Sequence, residues 1–381
     1  MRTKSKVMLA IQKFIIENGL AKAITEFNLK SRVYEHKILL KYDQLSAPSL
    51  MAKQEVQECR GLILERNSWK VMSLAFTKFF NSEEGNAHKV DWNTAHVLEK
   101  LDGTCIQVYY DWNDMTWYAG TTGTADGEGE VNNKTGTTFN QLFWKTVKEK
   151  YNLEASKFNA GYTYVFELTT PYNIVVKPHG ESSATLLTVR NLKTLKEVSF
   201  EELTTIAEEL GVSRVKSYDL NTKNVGALIK TFDGMVWYDE GYVVVDANHN
   251  RVKIKNPAYV AVHHLKGKTA EHNILTIVKS NEIEEFASTF PERKDELYKL
   301  KTNYDALITK LNFVWDELKT LRPKNITPQE KKKYAQAVFE VCDKREVKNF
   351  TGLFFGLNDG KVSSIEDFML KYDDKALYKI L

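Results

Sequence analysis

The periodicity of apolar residues changes near Val262, and that change constrains the fold of this 381-residue chain more than any other feature. Before it, apolar residues gather in short β-branched and aromatic runs. Cys105-Ile106-Gln107-Val108-Tyr109-Tyr110, Tyr162-Thr163-Tyr164-Val165-Phe166-Glu167-Leu168 and Tyr242-Val243-Val244-Val245 have the length and composition of strands. After it, Leu297, Leu300, Tyr304, Leu307, Leu311, Val314, Leu318 and Leu321 recur at three- and four-residue spacing. That stripe predicts one long amphipathic helix, stopped by Arg322-Pro323. The expectation is an α+β protein, with a sheet-bearing domain over residues 1–261 and an all-helical domain over residues 262–381.

A chain of this length can bury substantial cores. Its formal net charge is only +3, so a nucleic-acid partner has to be met by local basic patches. Cys59, Cys105 and Cys342 are odd in number and far apart, which fits a reducing cytoplasm and argues against a disulfide framework or a zinc site. No apolar run is long enough to span a bilayer. The N-terminal stretch reads as an amphipathic helix with Val7, Met8, Ile11, Phe14 and Ile15 inward and Gly19 near its end, and not as a signal peptide.

Within the sheet-bearing part, Lys100 stands two residues before Asp102-Gly103, at the start of a strand-like run. Gly103 is expected to allow a positive φ in a tight turn. A lysine held there suits covalent catalysis such as attack on a nucleotide α-phosphate, once its ammonium has lost a proton. Arg60 and Lys78 flank apolar residues and read either as solvent-facing strand ends or as phosphate clamps. Met115 to Tyr118 predicts the hairpin partner of the lysine strand, and the Gly-rich stretch from Gly120 to Gly136 predicts loop. Glu167 is an acid inside a β-prone run, suited to a ribose hydroxyl or a metal-bound water if it is buried. Strand alternation puts Lys253 and Lys255 on one face and Ile254 on the other, and two cations side by side call for an anion between them. Helix starts are marked at Ser199-Phe200-Glu201-Glu202 and at Thr327-Pro328-Gln329-Glu330, and Ser364 opens the last helical segment. Lys331, Lys332 and Lys333 oppose the macrodipole in the first turn of their helix, a cost that RNA phosphate would offset.

In order, the chain carries Glu58-Cys59-Arg60-Gly61, Lys78-Phe79-Phe80-Asn81, Lys100-Leu101-Asp102-Gly103, Glu167, Glu240-Gly241-Tyr242 and Lys253-Ile254-Lys255. This series resembles the covalent nucleotidyltransferase superfamily, and most closely the bacteriophage RNA ligase 1 family of tRNA-repairing ligases. The resemblance implies a nucleotidyltransferase fold, with ATP-grasp-like antiparallel sheets and flanking helices, ahead of the all-helical domain. It implies ATP-dependent joining of 5′-phosphate and 3′-hydroxyl RNA ends through lysyl-AMP and RNA-adenylate, with Mg²⁺ as cofactor. It also implies a tRNA broken in its anticodon loop as substrate and a monomer in the cytoplasm, that of a host cell if the gene is a phage's. By this resemblance Lys100 is the nucleophile, supported by Asp102 and Gly103, and Glu167 holds the ribose. Glu240 lies near the lysine and the metal's water shell, with Glu167 as the other water-mediated metal neighbour. Lys253 and Lys255 grip the α-phosphate. Arg60 and Lys78 take the outer phosphates or the RNA end, and Tyr42 and Tyr259 join the nucleotide pocket. One departure stands out. The family carries a lysine after the hairpin, where this chain has Ala119-Gly120-Thr121-Thr122-Gly123. Either the backbone substitutes there or a basic residue such as Lys134 comes from elsewhere. The competing readings are a DNA ligase or mRNA capping enzyme, which would continue into a β-rich OB domain, and a non-catalytic RNA-binding homologue.

Overall fold

A computed structural model describes residues 7–44, 46–131, 136–220, 223–265, 274–289, 291–322 and 327–381. The chain divides into two compact units, Met1–His264 and Leu265–Leu381.

The first unit contains thirteen strands among its described residues. They are β1 (Leu29–Val33), β2 (Lys37–Tyr42), β3 (Arg60–Glu65), β4 (Val71–Ser73), β5 (Phe80–Asn81), β6 (His96–Glu99) and β7 (Thr104–Asp111), followed by β8 (Thr116–Thr121), β9 (Tyr162–Thr169), β10 (Ser183–Asn191), β11 (Ser217–Tyr218), β12 (Gly241–Val245) and β13 (Arg251–Lys255). They form three sheets, in the orders β1-β2-β3-β4, β10-β9-β7-β8 and β11-β6-β12-β13-β5. All pairings are antiparallel except the short parallel contact of β13 with β5.

Alternation along the strands decides what each face buries. Leu40, Leu62 and Leu64 pack under the N-terminal helix Ala10–Asn18 with Ile11 and Ile15, while Leu39, Ile63 and Met72 face Tyr109 of the second sheet. The other face of that second sheet is covered by the helices Phe139–Tyr151 and Phe200–Leu210 through Phe143, Val147, Leu203 and Ala207. Ser199 caps the latter helix and Gly211, at φ 68°, closes it.

Several sequence expectations need correction. Val7 precedes the first helix and is exposed, because the helix begins only at Ala10. Gly120 and Thr121 belong to β8, where they pair with Gln107 and Ile106. Gly103 has no positive φ; it is needed for space, since a Cβ there would lie 2.6 Å from the carbonyl oxygen of Leu168.

The described residues of the second unit are helical and include no strand. Its longest helix, Lys294–Thr320, buries Leu297, Leu300, Tyr304, Leu311, Val314 and Leu318. Leu321 lies past its end and is exposed, and Pro323, the expected stop, falls outside the described residues. Thr327 and Glu330 form a reciprocal capping box for the helix Pro328–Lys344. Ser364 caps Ile365–Lys371, but one further short helix, Asp374–Tyr378, follows it. Among the described residues no helix is long and apolar enough to cross a membrane.

Candidate active site

Residues 100–103 are not the turn of a hairpin. Lys100 follows β6 in the third sheet, and Thr104 opens β7 in the second, so the Lys-Leu-Asp-Gly segment is the crossing between two sheets. Its conformation is held at both ends. The Lys100 amide donates to the carbonyl of Gly241 at 3.0 Å. The buried Asp102 carboxylate accepts from the amides of Val176 and Lys177 at 2.8 and 2.6 Å and from the Tyr259 hydroxyl at 3.0 Å. His179 Nε2 lies 2.8 Å from the Asp102 carbonyl oxygen. A carboxylate accepting three hydrogen bonds is a structural anchor, and here it fixes the segment from which Lys100 projects.

Lys100 Nζ lies 2.6 Å from Glu240 Oε1. Lys255 Nζ approaches the same oxygen at 4.0 Å. Glu240 reaches this point because Gly241 begins β12 at φ 128° with its Cα against β13: a Cβ there would lie 2.3 Å from the Ile254 carbonyl oxygen. On β13, Ile254 is buried with Tyr242 and Val252, while Arg251, Lys253 and Lys255 all line a cavity of about 370 Å³.

That cavity brings together Tyr42, Arg60, Lys100, Asp102, Gly103, Glu167, Glu240, Lys253, Lys255 and Tyr259. Lys78 is not among its lining residues. Its ammonium sits instead 4.7 Å from the centroid of the Tyr42 ring and 4.8 Å from that of Phe80. Arg60 lies 5.2 Å from the Phe79 ring, and Lys253 approaches the same ring at 5.9 Å. Burial pushes the Glu167 carboxyl up to about 8; Lys100 pulls against that shift and the Glu240 charge adds to it. Burial likewise pushes the Cys105 thiol, in the same wall, up to about 12.

Sequence reasoning missed several lining residues. Lys41 and Gln44 line the cavity beside Tyr42, and Thr122 lines it from the turn that follows β8. Arg251 is held by Glu197, a residue 54 positions away, at 2.8 and 2.6 Å. Only the alternation Arg251–Lys253–Lys255 could have flagged it. Lys134, the candidate replacement for the missing lysine, lies outside the described residues.

The RNA ligase family matches residues 58–259, more than half of the chain and the whole span from Glu58 to Tyr259. An RNA ligase of Rhodothermus phage RM378 is 28% identical, with 84% of each chain covered. Among solved structures, an archaeal ATP-dependent RNA ligase is 11% identical with a TM-score of 0.47, covering 88% of this chain and 90% of its own. With six motifs in family order, a matched span that contains the lysine, its glutamate partner and the β13 cations, and a phage relative along most of its length, the chain belongs to the bacteriophage RNA ligase 1 family and is an RNA ligase.

Proposed function

We propose that the protein is an ATP-dependent ligase that joins 5′-phosphate and 3′-hydroxyl RNA ends through a lysyl-AMP intermediate on Lys100. The observation that carries this reading is the Lys100–Glu240 contact at 2.6 Å, inside a cavity also lined by Lys253, Lys255 and Arg60. Glu240 is placed to accept the ammonium proton. The freed amine attacks the α-phosphorus, an N–P bond forms, and the bond to the β-phosphate bridging oxygen breaks to release pyrophosphate. Lys253 and Lys255 face the charge that grows on the α-phosphate, and Glu167 is positioned for the ribose. AMP then passes to the RNA 5′-phosphate, and the 3′-hydroxyl displaces it.

Mg²⁺ neutralises phosphate charge in this chemistry. The residues fit it in one way. No group of three or more His, Cys, Asp or Glu among the described residues could hold a metal. Glu167 and Glu240 would therefore act through water, with substrate phosphates completing the shell.

The test is incubation of the whole protein with α-labelled ATP and Mg²⁺, followed by a denaturing gel. Labelled protein is expected from the wild type and none from Lys100→Ala, with circular dichroism unchanged. A fully labelled Lys100→Ala variant would sink the assignment.

The helical unit is the part we read as choosing the substrate, a tRNA broken in its anticodon loop, with the protein acting as a monomer. The supporting feature is the exposed run Lys331-Lys332-Lys333. Arg345 and Lys348 are already paired, with Glu317 and Asp343. Phosphate contacts of this kind position RNA and weaken with salt. Replacing the three lysines by alanine in the full chain should lower the preference for nicked tRNA over a generic single strand and flatten the salt dependence. An unchanged substrate ratio would make the run a solvated surface.

A further inference from the structure

The first sheet carries a row of cations of which the ligation motifs account only for Arg60. Antiparallel register places Lys30 opposite Lys41, and Lys41 opposite Arg60. Residues directly opposite one another share a face, and like charges there repel. Lys30 is relieved by Asp43 at 3.1 Å. Neither Lys41 nor Arg60 has a carboxylate within ion-pair distance among the described residues, and both line the cavity that holds Lys100.

The pairing is built in by a bulge. The register slips between Leu40 and Lys41, and the extra residue is Gly61, at φ 77°. A Cβ on Gly61 would lie 2.7 Å from the Cα of Thr122. The strand that carries Arg60 is thus pressed against the very turn that lacks a cation, and Lys41 stands directly across from Arg60.

We infer that Lys41, acting with Arg60, binds the pyrophosphate portion of the nucleotide and steadies it as it leaves. This rests on the reading of Lys100 as the nucleophile. In-line displacement puts the leaving group on the far side of phosphorus from the attacking nitrogen. Lys255 converges with Lys100 on one Glu240 oxygen, so it belongs to the near side. From there the cations run outward. Lys253 and Arg60 meet at the Phe79 ring, and Lys41 follows on the neighbouring strand. A polyphosphate laid along that track ends between Lys41 and Arg60, where its charge offsets their repulsion.

The experiment loads the full-length protein with labelled AMP and then discharges it with inorganic pyrophosphate. In this reverse step the N–P bond breaks, a P–O bond to pyrophosphate forms, and the amine regains its proton. Lys41→Ala should raise the pyrophosphate concentration for half-maximal discharge by about ten- to a hundredfold, as expected for loss of one charge-assisted hydrogen bond. Lys41→Arg should stay near wild type. Transfer of AMP from loaded enzyme to a 5′-phosphate RNA should change by less than about twofold, since pyrophosphate has already gone. Lys41→Met, which keeps the apolar stem, serves if the alanine variant loosens the strand. An unchanged pyrophosphate dependence in a folded variant overturns the inference. So does normal discharge with impaired transfer to RNA, which would assign the pair to the RNA terminal phosphate instead. Failure of the underlying reading looks different: the wild type itself would form no adduct.

Discussion

Two glutamates in the first unit, Glu197 buried and Glu167 half-buried in the cavity wall, behave in opposite ways. Glu197 is 8% exposed and receives two guanidinium groups, Arg251 through both oxygens and Arg190 at 2.9 Å, with a Thr188 hydroxyl at 2.8 Å. Burial pushes its carboxyl up, but Arg251 and Arg190 outweigh burial and hold it at about 2. Glu167 stands in the cavity wall, where burial and Glu240 prevail over Lys100 and raise it to about 8. The difference teaches that this protein completes its ion clusters where they carry structure and leaves them unbalanced where a ligand is to enter. The Arg190–Glu197–Arg251 cluster is closed by protein alone, and one of its arginines forms part of the cavity wall. Around Lys100 the charges are arranged for something that the protein does not itself supply.

The comparison can be broken most forcefully at Glu197. Glu197→Ala leaves two guanidinium groups buried together without their anion and should cost about 3–5 kcal/mol in urea unfolding. Because Arg251 would lose its hold, lysyl-AMP formation should fall as well. A variant of wild-type stability would show that the cluster is solvated rather than closed.

A smaller effect, of opposite sign, is expected at Glu167. Its folded carboxyl titrates above the unfolded value of about 4.3, so folding takes up a proton between that pH and about 8. Stability from this group therefore falls as pH rises through that window, whereas stability from Glu197 is lost only as pH drops below about 4.3 towards about 2. Glu167→Gln should be more stable than wild type near pH 8, and the gain should shrink towards about pH 5. Urea midpoints at several pH values read this directly. A gain independent of pH would mean that Glu167 is charged in the folded protein throughout.

What was legible in the sequence follows from how local each feature is. The helix Lys294–Thr320 and strands β7, β9, β12 and β13 are written in periodicity and β-branched runs, and the opposite facing of Ile254 and Lys253 needs only strand alternation. The crossing role of residues 100–103 was not legible, because which sheet each strand joins is decided by pairing partners far along the chain. Lys41 was invisible for the same reason: its importance lies in standing opposite Arg60, and a one-residue bulge sets that register. Gly103 shows the reverse failure. Its need was read correctly but given the wrong cause, since crowding by the Leu168 carbonyl leaves no trace in local sequence.

The anchoring of Asp102 has a consequence in time. Its hydroxyl donor, Tyr259, is 157 residues further along the chain, and the partner of Lys100, Glu240, is almost as far. At roughly 5–20 residues per second, a ribosome that has just made the lysine segment needs on the order of ten seconds or more to make the residues that hold it. Throughout that interval the signature motif is present and its site is not. Lys100, the nucleophile we propose, is synthesised well before the residues that hold it, so on that reading a nascent chain that already carries Lys100 meets cellular ATP without the means to react with it.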